Sequence, residues 1–203
     1  LNNSYAGNQP SCIGNFSYNH ENFKNSYKIE YIQIDVFKNK KFQQNNIRNI
    51  ISLKKGIQDR FKKKFDAKIL VHFDNNLKCN FLGRVRQNGD MRDHIELREN
   101  KIFQSLDVEL KNGHINGIVK FKLFLKHSRN NKEEEIIMTE ILRSLDYLAP
   151  RTGLVKANVN GAEDIMIFQE KAVRELLEFN HRREGPILEG NEQFFFQFQS
   201  NII

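Results

Sequence analysis

A chain of 203 residues with 39% hydrophobic content and 17 Phe is long enough to bury a core without help from metals. No apolar run approaches the ~18–20 residues a membrane-spanning helix needs, so no transmembrane segment is present. The formal charge is +7, and it is concentrated: between Lys38 and Lys68 eleven residues are basic and two are acidic. Such a stripe suits nucleic acid or an anionic surface, although Lys, Asn, Ile and Phe are abundant together throughout the chain. Opening at Leu1 rather than Met, the chain reads as a fragment or a processed form. Cys12 and Cys79 lack the paired spacing of a zinc site, which leaves one long-range disulfide or two thiols.

Residues 1–26, rich in Asn, Ser and Gly, show no periodicity and read as an extended arm before a single domain over 27–203. Ile32, Ile34 and Val36 alternate with polar residues and predict a strand at about 28–37. Ile47, Ile50, Ile51, Ile57, Phe61 and Phe65 recur at helical spacing, with Asn46 as N-cap, and predict a helix with a basic outer face. Lys68–Phe73 and Cys79–Arg86 read as strands about an Asp74-Asn75-Asn76 turn. Leu106–Leu110 and Ile118–Leu125 read as a second pair about Asn112-Gly113. A helix over about 132–148 follows, with Ile137, Ile141, Leu145 and Leu148 as its buried stripe and Pro150 beyond its end. Leu154–Val159 and Ile165–Glu170 flank Asn160-Gly161, a hairpin signal, and a short helix is expected at about 172–180. Phe194–Phe198 reads as a last strand or a docking segment. The expected class is α+β, a mostly antiparallel sheet with helices packed on it in the manner of a kinase small lobe.

Over about residues 80–192 the ordered set of motifs resembles the CotH family of spore-coat and surface protein kinases. The parts that carry the resemblance are Gly83-Arg84-Val85-Arg86-Gln87-Asn88-Gly89-Asp90, the Pro150-Arg151-Thr152 turn, the Asn160-Gly161 hairpin and Phe168-Gln169-Glu170-Lys171. The resemblance implies a nucleotide-facing small lobe, with ATP and Mg as cofactors. It also implies a partner in the form of a C-terminal lobe. The strand lysine it calls for falls within residues 105–110, where Glu109 stands instead, and Lys120 and Lys122 on the next strand are the substitutes on offer. The family's metal-binding and catalytic aspartates follow the hinge, whereas only about 30 residues follow Glu170 and none is Asp. No kinase activity is therefore expected of this chain alone.

Arg84 and Arg86, two apart on a strand, share a face, and Gly89 lets backbone N–H groups approach the same phosphate. Glu134 lies on the helical face of Ile137 and Ile141 and points to a cation on the sheet, while Glu170 ends its strand at the adenine side. The candidate nucleotide or phosphate ligands are thus Arg84, Arg86, Gly89, Lys120, Glu134 and Glu170. No metal ligands are assigned: Glu184, Glu189 and Glu192 read as solvated loop carboxylates. Two other classes stand beside this reading, a non-enzymatic structural or assembly protein and a nucleic-acid binder acting through residues 38–68.

Overall fold

The computed structural model describes residues 28–52, 56–129 and 133–188. The expected arm at 1–26 and the expected strand at Phe194–Phe198 lie outside them. Nine strands and three helices follow in chain order: β1 Ile29–Val36, α1 Asn39–Ile51, β2 Phe65–Phe73, β3 Lys78–Gln87, β4 Ile95–Arg98, β5 Lys101–Gln104, β6 Leu106–Leu110, β7 Lys120–Leu125, α2 Glu134–Ser144, β8 Thr152–Val159, β9 Ala162–Glu170 and α3 Arg174–Phe179.

Seven strands close into a barrel in the order β1-β2-β3-β6-β7-β9-β8, and β4 and β5 form a separate hairpin. This overturns the expected kinase small-lobe sheet with packed helices. The closure comes from β1, which pairs with β2 antiparallel and with β8 in parallel, from Tyr31↔Lys156 to Ile34↔Val159. More than a hundred residues separate those partners, so no local pattern announces the pairing. Closure satisfies the backbone of both edges.

Period-2 alternation then decides what is inside. Ile32, Ile34, Ile69, Val71, Phe81, Val85, Leu106, Val108, Phe121, Leu123, Val155, Ala157, Met166 and Phe168 fill the lumen. Gly83 takes an inward position on β3 where a Cβ would lie 2.6 Å from Ile69 Cδ1 and 2.8 Å from the Glu109 carbonyl oxygen. Only glycine lets β2, β3 and β6 approach so closely there. Asn160 (φ 50°) and Gly161 (φ 88°) make the expected tight turn between β8 and β9. Cys79 sits in the core and is disulfide-bonded; Cys12 lies outside the described residues.

Both long helices depart from their expected packing. The helix α1 starts at Asn39 and ends at Ile51, so Phe61 falls in a 3₁₀ turn (Asp59–Phe61) and Phe65 opens β2. Its packed face is Phe42, Asn46 and Asn49, while Ile47 and Ile51 are exposed. On α2 the expected buried stripe is turned to solvent: Ile137 and Ile141 are exposed, as are Leu145 at its C-cap and Leu148 beyond it, and Met138 is exposed with them. Thr139 is buried instead, with Glu135, Ile136, Leu142 and Arg143 half-buried around it. The inward acid is therefore Glu135, which accepts from Arg129 Nε (2.7 Å) and Gln169 Nε2 (2.7 Å). Burial raises the Glu135 carboxyl, but the Arg129 and Gln169 hydrogen bonds outweigh it and hold the group below its ordinary range. Two apolar stripes compete on this helix, and fixed polar partners select the less apolar one.

Candidate anion-binding site

The outer face of the barrel carries its charge in rows set by register. Arg84 and Arg86 alternate outward on β3 between the inward Gly83, Val85 and Gln87. Across the ladder, Arg84 lies opposite Glu109 and Arg86 opposite Asp107, and on the next strand Glu109 lies opposite Lys120. Cross-strand pairs of opposite charge stabilise a sheet. Two further cations arrive from element ends: Lys64 just before β2, and Lys171 just after β9, whose backbone N–H donates to the Lys120 carbonyl at 3.0 Å.

The result is a pocket of about 140 Å³ lined by Lys64, Arg84, Arg86, Lys120 and Lys171 with Asp107 and Glu109. Five cations face two carboxylates, and the surplus of positive charge defines the site.

The two carboxylates differ. Asp107 has a side chain only 8% exposed. Its Oδ2 accepts from Arg86 Nη2 at 2.6 Å, Arg86 Nε at 3.0 Å and Lys171 Nζ at 3.1 Å. Burial pushes this carboxyl up, but the Arg86 hydrogen bond and the Lys171 charge outweigh it and hold its pKa below the ordinary value. Glu109 is held more loosely: Lys64 Nζ lies 3.0 Å and Arg84 Nη2 3.4 Å from Oε2, and Lys120 Nζ lies 3.9 Å from Oε1. The Lys64 hydrogen bond is the main cause of its depressed pKa.

Of the residues expected from sequence, Arg84, Arg86 and Lys120 meet in this pocket. The other three do not. Gly89 has the expected positive φ (93°), but a Cβ there would strike the His94 ring at 2.1 Å, so its freedom serves packing rather than an anion. Glu134 is exposed at the first turn of α2, outside the pocket lining. Glu170 is buried and locked by Arg151, with Nη2 donating to Oε1 at 2.7 Å and Nε to Oε2 at 2.8 Å. Lys64, Asp107 and Lys171 were missed, although Asp107 and Glu109 stand two apart on one strand and so share a face, a signal the sequence does carry.

A second polar group is not a site. His94 Nδ1 lies 3.0 Å from Ser105 Oγ, with Asp93 at 4.0 Å from the other ring nitrogen. Ser105 is fully buried, and its Oγ accepts from the Leu125 backbone N–H at 3.0 Å, so no substrate reaches it. The basic segment 38–68 is likewise not one helical face. It divides between α1, the 3₁₀ turn and β2, and Lys62 and Lys64 are taken up in ion pairs with Asp90 and Glu109. The chain matches no protein-family model and no curated protein.

Proposed function

We propose that the protein is an anion-binding β-barrel whose charged pocket holds a phosphoryl group. The observation that carries the reading is the convergence of Lys64, Arg84, Arg86, Lys120 and Lys171 on one pocket with only two carboxylates to balance them. Charge-assisted hydrogen bonds from guanidinium and ammonium groups are the strong ones for phosphate, and partial burial strengthens them. At about 140 Å³ the pocket falls below the ~300 Å³ at which small-molecule sites begin, so a nucleotide such as ATP would seat its phosphates and leave its base outside. Phosphate handling is the part of the CotH-like expectation that this chemistry supports; the kinase small-lobe architecture is not retained.

Calorimetric titration with inorganic phosphate at low ionic strength tests the reading. Binding should weaken with salt, and Lys120→Ala or Arg84→Ala should weaken it by roughly tenfold, about one charge-assisted hydrogen bond. No heat of binding, or equal binding by both variants, would remove the reading. A second reading, a non-enzymatic assembly protein, is favoured by the exposed Ile137, Met138, Ile141 and Leu145 of α2. Concentration-dependent self-association abolished by Leu145→Glu would support it, and a monomer at every concentration would dismiss it.

A further inference from the structure

The two halves of the pocket are built differently, and the difference bears on which anions it selects. Around Asp107 every contact is short, 2.6 to 3.1 Å, and the carboxylate is nearly inaccessible. That half is closed, and its acid fixes Arg86 and Lys171 in place. Around Glu109 one contact is 3.0 Å, but the others are 3.4 and 3.9 Å, beyond the ~2.7–2.9 Å of a well-made charge-assisted bond. Its three cations are 38 to 50% exposed, and Glu109 itself is 25% exposed. Arg84 Nε, in addition, is buried with no hydrogen-bond partner. One carboxylate thus serves three cations incompletely, in the half of the pocket that solvent reaches.

We infer that Glu109 is a displaceable internal anion, standing where the ligand's charged group sits and making the site select dianions over monoanions. The inference rests on the anion-site reading above. Lys64, Arg84 and Lys120 carry three positive charges, of which Glu109 balances one. An acetate or nitrate that displaced the carboxylate would exchange one negative charge for another and gain nothing. A phosphate or phosphomonoester dianion leaves one surplus charge instead of two. It also offers three or four oxygens to donors that the two of a carboxylate do not satisfy, Arg84 Nε among them. Displacement is a rotation of a side chain already one-quarter exposed towards water, and it leaves the β6 backbone in place.

The test measures binding of inorganic phosphate and of acetate, by calorimetry at pH 8, to the full chain and to Glu109→Gln and Glu109→Ala. Circular dichroism checks that each variant folds. The parent should bind phosphate and not acetate. Both variants should bind phosphate about tenfold or more tightly, and acetate should now bind as well. A parent that binds no phosphate would remove the anion-site reading on which the inference rests, whatever the variants do. If the parent binds phosphate and both variants bind it equally or more weakly, Glu109 is part of the scaffold and the inference is overturned. If neither parent nor variants bind any anion, the anion-site reading itself falls.

Discussion

Removing the Glu170 carboxylate should unfold the protein more readily than any change in the charged pocket. Glu170 has a side chain 2% exposed and Arg151 one 14% exposed, and the carboxylate accepts from the guanidinium at 2.7 and 2.8 Å and from the Arg151 backbone N–H at 3.3 Å. Arg151 also donates from Nη1 to the Asn116 carbonyl at 2.6 Å, and its guanidinium lies 3.8 Å from the Phe179 ring centroid. The pair thereby ties together the end of β9, the turn before β8, the loop at Asn116 and α3. Glu170→Ala leaves a guanidinium buried with one carbonyl and a ring face, and breaking a buried pair from one side costs about 3–5 kcal/mol. Against a typical net stability of about 5–15 kcal/mol this is a large fraction. Urea unfolding, followed by circular dichroism with the disulfide intact, should show a large fall in midpoint with the slope unchanged. Glu170→Gln, which keeps an acceptor but not the charge, should lose less. A loss below about 1 kcal/mol for Glu170→Ala would mean water reaches the pair, and the assignment of Glu170 to the scaffold would be wrong.

Gly83→Ala should cost about 1–3 kcal/mol in the same assay, because its Cβ would press on Ile69 and on the Glu109 backbone; an unchanged midpoint would mean that the strands can separate there. On α2, half-buried Leu142→Ala should cost about 1–2 kcal/mol, whereas exposed Leu145→Ser should stay within about 0.5 kcal/mol. The opposite order would restore the rotation that hydrophobic spacing suggests. Acid should weaken the fold through Asp107. Its folded pKa lies below the ordinary value of 3.8, so its contribution is present above pH 3.8 and lost as pH falls through the lower folded value. Asp107→Asn should flatten stability across that acid range, and an unaltered pH profile would contradict the pairing.

Strand positions were legible because alternation is local. Ile32, Ile34 and Val36, or Leu106, Val108 and Leu110, announce both a strand and its inward face. Asn160-Gly161 announced its turn for the same reason. The barrel was not legible, since closure depends on β1 meeting β8 across most of the chain. The rotation of α2 was hidden by apolar residues at 136, 137, 138, 141, 142 and 145, which allow two faces, with Arg129 and Gln169 choosing between them. The hairpin of β4 and β5 escaped because Glu99 and Asn100 supply its positive φ without glycine. In the pocket, Arg84 and Arg86 were found from spacing and Lys120 from resemblance. Lys64 and Lys171 lie at element ends, where only the assembled register brings them in.

Arginine side-chain NMR tests the central claim most directly, because it reports where an anion sits as well as whether one binds. Titration of the ¹⁵N-labelled chain with inorganic phosphate should shift the Nε–H signals of Arg84 and Arg86 together along one saturable curve. Arg98, which is paired with Asp164 and is not part of the pocket lining, should stay fixed. Shifts confined to Arg48 and Arg60 in the basic 38–68 segment, or no saturable shift at Arg84 and Arg86, would contradict an anion site on this face of the barrel.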